Sequence, residues 1–218
     1  MKLPAEVLKE TSPFEDNKVF IVDGHYLRDN VAIEFTNFAY HEIRPYVPPG
    51  EIWIDRENNH REFQLFLETI RLQKIMLGKG ISFPKAEKIS IQIEILKRHK
   101  IPEVMALFHL SHEEQVKRVK IRSLVENLSN GISVILVNGF LVRSLFYPDF
   151  TEGGHHLRYS FIPYNEIWID DSLDEEEFPA IILHETTERN LMSESNLPYE
   201  EAHKISSRVE SEYRQKSQ

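Results

Sequence analysis

The sequence predicts an α+β protein made of two copies of one unit, each a small antiparallel sheet followed by two helices, related by a pseudo-two-fold axis. The first observation is a repeated pentapeptide, Glu-Ile-Trp-Ile-Asp, at 51–55 and again at 166–170. The second is that each copy of the pentapeptide follows a β-branched apolar run and precedes two stretches that we interpret as helices. The third is that eight or so other residues recur in a constant register, which indicates a tandem duplication.

The composition of the chain, 218 residues with 41% hydrophobic and 28% charged residues, is typical of a globular protein. A net charge of −9 argues against a nucleic-acid partner, because such a surface needs a clustered basic excess. No window approaches the roughly 18 apolar residues of a membrane span, and the N-terminus lacks the apolar segment of a signal peptide. Cysteine is absent, which excludes disulfides and thiolate sites and predicts a cytoplasmic, reducing compartment.

The first copy is predicted to cover 18–98, after a polar lead-in over 1–17 that we expect to be irregular or one short helix. Residues 19–22 are a β-branched run and are expected to form a strand. Asp23-Gly24 is a dipeptide typical of hairpin turns, so residues 26–28 are expected to form the returning strand.

The rest of the first copy is predicted to contain two more strands and two helices. Residues 40–47 alternate well enough for a strand, and 52–54 form the next one. Apolar residues recur at helical spacing over 59–77 and again over 84–98, where Pro84 suits the first turn.

A helical connector over 99–132 is predicted to join this copy, which lacks a metal cluster, to the second copy at 133–218. Ser111 and Glu114 have the spacing of a capping box, so we expect a helix over 111–128.

The strands of the two copies align at an offset of 115 residues. We expect one inserted residue before the helices of the second copy, so that their offset is 116 and Met76 pairs with Met192. This register predicts the following pairs: Glu68 with His184, Thr69 with Glu185, Leu72 with Glu188, and Glu87 with His203. The second copy therefore carries a polar cluster that the first lacks. We interpret the first copy as a degenerate one that serves as scaffold or substrate platform.

The cluster has the residue types and spacing of a catalytic zinc site. His184 and Glu188 are four residues apart and share one helix face, so one helix can offer both to one ion. Glu185 lies where helical zinc hydrolases carry the general base. His203 from the next helix would complete three ligands with an open position for water. Glu210 falls on the same face as His203 and is expected to orient that histidine.

Two further histidines follow Gly153-Gly154 and are candidates for another ligand or for a substrate contact. His156 has a counterpart, His41, in the first copy, so we interpret it as part of the scaffold. His155 is opposite Tyr40 and is the more distinctive of the two.

The same residues also fit a non-enzymatic binding or assembly module in which the His/Glu cluster is a structural polar network. Glu185 and Arg189, for instance, have the spacing of an ordinary helix-surface ion pair. The apolar run 180–183 before His184 favours the metal site, because it indicates a buried helix on which a histidine and a carboxylate need partners.

Residues 150–210 resemble a group of short bacterial and phage proteins, a likeness that implies no particular activity. It is carried by these motifs: Gly-Gly-His-His at 153–156, Glu-Ile-Trp-Ile-Asp at 166–170, Leu-His-Glu at 183–185, Glu188-Arg189, and Ala202-His203. The helix is more distantly similar to that of zincin-like metallopeptidases, which carries His-Glu-x-x-His. Glu188 stands where the second histidine of that motif would be, and a carboxylate there suits zinc, manganese or iron.

The leading hypothesis is a metal-dependent hydrolase with a peptidase-like site. His184, Glu188 and His203 would bind a divalent ion, zinc first among the candidates, and Glu185 would activate water. The substrate, any protein partner and the oligomeric state are left open by the sequence.

Overall fold

A computed structural model of the chain describes residues 3–4, 7–58, 60–128 and 131–217. The chain divides into two compact units, Met1–Met105 and Ala106–Gln218. Each unit is a four-stranded sheet with helices, so the α+β class and the repeated sheet-plus-helices unit are confirmed. The sheets are mixed rather than wholly antiparallel, because the two central strands of each run parallel.

The described part of the first unit contains four strands and four helices. They are β1 (Leu8–Glu10), β2 (Lys18–Val22), α1 (Gly24–Asn30), β3 (Phe38–Tyr40), β4 (Glu51–Asp55), α2 (Phe63–Gly78), α3 (Phe83–Arg98) and α4 (Pro102–Met105). The strand order is β1-β2-β4-β3. Strands β2 and β4 are parallel, and both edge strands are antiparallel to their neighbours.

The second unit repeats this topology. Its elements are α5 (His112–Val119), β5 (Lys120–Leu128), β6 (Ile132–Val137), α6 (Gly139–Leu145), β7 (Gly153–His155), β8 (Glu166–Asp170), α7 (Phe178–Glu194) and α8 (Tyr199–Ser217). The order β5-β6-β8-β7 matches that of the first sheet strand for strand. Lys18 pairs with Glu51 and Ser133 pairs with Glu166, so the central pair keeps the offset of 115 residues.

The predicted hairpin at Asp23-Gly24 is wrong, because this dipeptide begins a helix. The Asp23 carboxylate caps α1 by accepting a hydrogen bond from the backbone N–H of Tyr26 at 3.0 Å, and Asn138 caps α6 in the same way. The glycine is required for close packing, since a Cβ at Gly24 would overlap the Asp55 carboxylate. Residues 26–28 are therefore helical, and the chain starts the crossover that parallel strands need.

Three other local predictions also differ from the structure. The lead-in contains the edge strand β1, and the strand expected over 40–47 is instead the short strand β3, which ends at Tyr40. The helix expected over 111–128 begins with the predicted capping box at Ser111 but ends at Val119. Residues 120–128 form β5, because pairing with β6 satisfies their backbone and outweighs the local helical pattern.

The helices predicted over 59–77 and 84–98 are confirmed as α2 and α3. The expected first residue of the former, Asn59, lies outside the described residues, and a 3-10 turn at His60–Glu62 precedes α2. Among the helices that the structure describes, none has the length and apolar character needed to cross a bilayer.

The repeated pentapeptide forms a central strand of each sheet and builds the core on both of its faces. Along β4, Trp53 faces one side and Ile52 and Ile54 face the other, as the alternation of a strand requires. The Trp53 indole donates a hydrogen bond to the Glu51 carboxylate at 2.8 Å. Trp168 repeats this arrangement in β8, so the pentapeptide recurs for reasons of packing.

A buried ion pair ties the first helix of each unit to the central strand. Arg28 donates to the Asp55 carboxylate at 2.9 Å in the first unit, and Arg143 pairs with Asp170 in the second. Each pair lies at the end of its strand, where an unpaired charge would be costly to bury.

We therefore expect Arg143→Ala to destabilise the protein by about 3–5 kcal/mol, because it leaves the Asp170 carboxylate buried without its cation. The matched control is Arg122→Ala, which removes an exposed pair with Glu175 and is expected to cost under about 1 kcal/mol. Urea unfolding of both variants measures the difference. Equal small losses would contradict the role given to the buried pair.

Candidate metal centre

Five side chains with metal-ligating groups converge at one end of the second unit. They are His155 at the end of β7, His184, Glu185 and Glu188 on α7, and His203 on α8. Helix α7 packs on β7 and β8 and also on α8. The two helices are antiparallel, since residues later in α7 meet residues earlier in α8.

The structure brings together the three ligands predicted from the sequence. Glu188 Oε2 lies 2.8 Å from His203 Nδ1 and 3.6 Å from His184 Nε2. His184 Nε2 and His203 Nδ1 are 3.2 Å apart. One ligand atom from each of the three residues therefore lies within 4.8 Å of the others.

His155 also belongs to this cluster, which the sequence indicated only as a secondary contact. Its side chain is 0% exposed, and its Nε2 lies 3.0 Å from Glu188 Oε1. His155, Glu185 and Glu188 form a second group of ligand atoms within 4.8 Å of one another. His156 is not brought in, because its ring packs on that of Tyr164 with centroids 4.3 Å apart.

Glu210 was expected to orient His203, and this prediction is wrong, because Glu210 contacts His184 instead. Its Oε2 lies 2.8 Å from His184 Nδ1, and its Oε1 accepts from Arg214 Nε at 2.8 Å. Arg214 also donates to Glu177, at the start of α7, at 2.8 and 3.1 Å. Antiparallel packing explains the change, since moving along α8 from His203 leads back toward the beginning of α7.

The first unit contains the same buried network at equivalent positions. Thr69 Oγ1 donates to Glu94 at 2.6 Å, and Arg98 joins Glu94 to Glu62. The roles of Glu177 and Arg214 were not predicted from the sequence, although these residues repeat Glu62 and Arg98 of the first unit in register. That recurrence was the available signal.

This network shows that the register expected for the first helix of each pair is off by one residue. Helices α2 and α7 begin at Phe63 and Phe178, which keeps the offset of 115, and the extra residue of α7 falls at its C-terminal end. The offset of 116 applies to α3 and α8. The corrected pairs are Tyr40 with His155, Thr69 with His184, Ile70 with Glu185, Gln73 with Glu188, and Glu87 with His203.

Ordinary hydrogen bonds occupy the equivalent centre of the first unit. Tyr40 donates to Gln73 Oε1 at 2.9 Å, and Gln73 Nε2 donates to Ser90 at 2.9 Å. A phenol and an amide thus fill the positions of His155 and Glu188, and Ser90 has a serine, Ser206, as its counterpart. The scaffold is common to both units, and the chemistry at its centre has diverged.

Glycine in β7 makes room for the cluster. A Cβ at Gly153 would lie 3.0 Å from the backbone oxygen of Trp168 and 3.2 Å from Glu185 Cγ. The first unit has Phe38 at this position. The absence of a side chain at Gly153 therefore lets α7 approach the edge strand, with Glu185 packed against the glycine.

The histidine and carboxylate charges stabilise each other strongly. Burial alone would lower the pKa of His184, but the neighbouring carboxylates of Glu188 and Glu210 outweigh burial and raise the pKa to about 11. Burial would raise the pKa of Glu188, but the adjacent imidazoles of His155, His184 and His203 hold it well below its usual range. Without metal the cluster thus retains a proton on His184, and metal binding would release it.

Glu185 differs from the other members of the cluster. Within the described part of the chain, its carboxylate has no hydrogen bond and no ion pair. Burial raises its pKa, and the neighbouring histidines lower it less. A carboxylate with a raised pKa and no fixed partner is suited to accept a proton.

His203 is the most exposed of the three predicted ligands. The His203 side chain is 31% exposed, whereas that of Glu188 is 3% exposed. The Tyr199 ring stacks on His203 with centroids 5.4 Å apart, and the Arg158 guanidinium lies 4.6 Å from the centre of the Tyr199 ring. A phenol and a cation therefore lie beside His203.

The raised pKa of His184 gives the metal-free protein a specific pH dependence. Because the folded-state pKa is about 11 against 6.5 for the free side chain, the stabilisation is complete below 6.5 and is lost as the pH rises toward 11. We expect the urea midpoint in chelator to fall more between about pH 6 and about pH 10 for wild type than for His184→Gln. An identical fall in both proteins would contradict this.

Comparisons with known proteins give no independent information about the role of this cluster. No protein-family model, no curated protein and no solved structure matches this chain. The interpretation of the cluster therefore depends on the residues themselves and on the difference between the two units.

Proposed function

We propose that the protein is a metal-dependent hydrolase with a zincin-like, peptidase-like centre in its second unit, active in the cytoplasm. The observation that carries the proposal is the convergence of His184, Glu188 and His203 within 4.8 Å. Beside them lies the carboxylate of Glu185, which has no hydrogen bond or ion pair among the residues that the structure describes. The first unit is the degenerate copy and acts as scaffold or substrate platform.

The donor set fits a divalent ion. Two imidazoles and one carboxylate are typical of catalytic zinc with one open position. A tetrahedral ion with bonds of about 2.1 Å places its ligand atoms roughly 3.4 Å apart, and the three ligand atoms here lie 2.8, 3.2 and 3.6 Å apart. Glu210 holds His184 through Nδ1, which directs Nε2 at the centre, as carboxylates do for metal-bound histidines.

The chain's own residues account for the other requirements of hydrolysis. A bound ion supplies Lewis acidity and lowers the pKa of water. Glu185 accepts the proton of the attacking water, because burial raises its pKa and no described residue forms a hydrogen bond or ion pair with it. Tyr199 and Arg158, beside His203, would donate to the oxygen of the substrate that becomes negative.

Metal content tests the site directly. Protein purified without added metal is expected to contain near-stoichiometric zinc, manganese or iron by elemental mass spectrometry. His184→Ala and His203→Ala should each lower the content by one equivalent, because each removes a ligand of the same ion. The matched control is Glu87→Ala, which changes the position equivalent to His203 in the first unit and should leave the content unchanged. Wild type that takes up no zinc even when it is offered and the excess is dialysed away would overturn the proposal.

Catalysis is tested by Glu185→Gln, which keeps the size of the side chain and removes the base. We expect the fold and the ion shared by His184 and His203 to remain, and hydrolysis of peptide and ester substrates to fall roughly 10²–10⁴-fold. Circular dichroism and metal content serve as controls for the fold. Unchanged turnover in a folded, metal-loaded variant would contradict the role of Glu185.

A non-enzymatic binding or assembly module is the second candidate, and one observation favours it. The network of Glu177, Arg214 and Glu210 recurs in the first unit, where the position of His184 is a threonine. That part of the second unit is therefore explained by folding alone. Loss of the folded state in Glu185→Gln, with no metal in the wild type, would support this candidate.

A further inference from the structure

We propose that the second unit holds two divalent ions, with the second bound by His155, Glu185 and Glu188 and with Glu188 bridging the pair. The proposal rests on the proposed function, since the ion of His184, Glu188 and His203 is its first member. It goes beyond that function by giving the cluster a dinuclear centre.

The two oxygens of Glu188 face two different sets of histidines. Oε1 lies 3.0 Å from His155 Nε2, whereas Oε2 lies 2.8 Å from His203 Nδ1 and 3.6 Å from His184 Nε2. A carboxylate that serves one ion needs only one of its oxygens. A carboxylate that bridges two ions at the roughly 3.5–4 Å of two-metal hydrolases points one oxygen at each.

The second group is held together by few polar contacts. His155 is fully buried, and within the described residues its ring has one polar contact, from Nε2 to Glu188. Glu185 has no hydrogen bond or ion pair among those residues. One ligand atom from each of His155, Glu185 and Glu188 lies within 4.8 Å of the others, so one cation placed between them would bind all three.

The residues that differ between the two units favour a centre with two ions over a centre with one. A one-ion centre accounts for His184, Glu188 and His203 where the first unit has Thr69, Gln73 and Glu87. It uses Glu185 only as a base and gives His155 no role beyond its contact with Glu188. In the first unit Tyr40 and Ile70 occupy these two positions, and both are satisfied there by packing and one hydrogen bond.

Gly153 brings Glu185 close to the strand that carries His155. The first unit has Phe38 at this position, whereas a Cβ at Gly153 would lie only 3.2 Å from Glu185 Cγ, so the glycine lets α7 pack directly on β7. With one oxygen on the ion, Glu185 keeps its other oxygen free to accept a proton. The set of one imidazole and two carboxylates is harder than the first set, which favours manganese or zinc.

Metal stoichiometry tests the proposal. The full chain is loaded with manganese or zinc, freed of unbound metal by gel filtration, and measured for metal per chain. We expect two equivalents in wild type, one in His155→Asn, one in His203→Ala and none in Glu188→Gln. The control is Tyr40→Phe, which changes the residue of the first unit that is equivalent to His155. This variant should still bind two equivalents of metal per chain. Electron paramagnetic resonance of the manganese form should show two coupled ions in wild type and a single uncoupled ion in His155→Asn.

Each outcome separates this proposal from the function on which it rests. One equivalent in wild type, lost in His203→Ala and kept in His155→Asn, overturns the second ion and leaves a one-ion hydrolase. No metal in wild type overturns both. If His155→Asn does not fold, Glu185→Gln removes a ligand of the second ion alone, and two equivalents in that variant with no change in the coupled spectrum also overturn the proposal.

Discussion

The buried guanidinium of Arg214 sets the register of α7 against α8, and the whole centre depends on that register. It joins Glu177, at the start of α7, to Glu210 on α8, and Glu210 in turn holds His184. A slip of one helix by a single turn, about 5.4 Å, would carry His203 away from Glu188. A buried charge that loses its partners is costly, so the network resists such slippage.

The first unit shows that this network does not need a metal. Arg98 joins Glu62 to Glu94 there, and Thr69 takes the place of His184. The helix pair is therefore a scaffold whose buried centre must satisfy its polar groups by some means. In one unit neutral hydrogen bonds do so, and in the other the polar groups are imidazoles and carboxylates, whose lone pairs a cation can share.

Positions common to both units and positions that differ have separate physical roles. The pentapeptide, with Trp53 and Trp168, and the pairs of Arg28 and Arg143 with their aspartates hold each helix-and-sheet layer together. The buried polar positions that changed to histidine or glutamate, namely those of His155, His184 and Glu188, lie together at the meeting of β7, α7 and α8. A changed set of buried polar residues on a kept scaffold is what a gain or loss of a site on a duplicated fold would produce.

The sequence by itself determined the α+β class, the duplication, the helices α2 and α3, and the grouping of His184 with Glu188, because strand alternation, helical periodicity and i, i+4 spacing are local properties of the chain. It failed where a local signal had two uses. Asp23-Gly24 caps a helix although it also suits a hairpin, and residues 120–128 became a strand because β6 offered a partner.

Only the tertiary structure decided which residues meet. It placed His155 on Glu188 and Glu210 on His184, and it corrected the helix register by one residue. These contacts join residues 33 and 26 positions apart in the chain, and no spacing rule reaches across the antiparallel packing of helices or from a strand to a helix. The candidate ligand residues could thus be identified from the sequence. Their arrangement around the Glu188 carboxylate followed from how the helices and β7 pack.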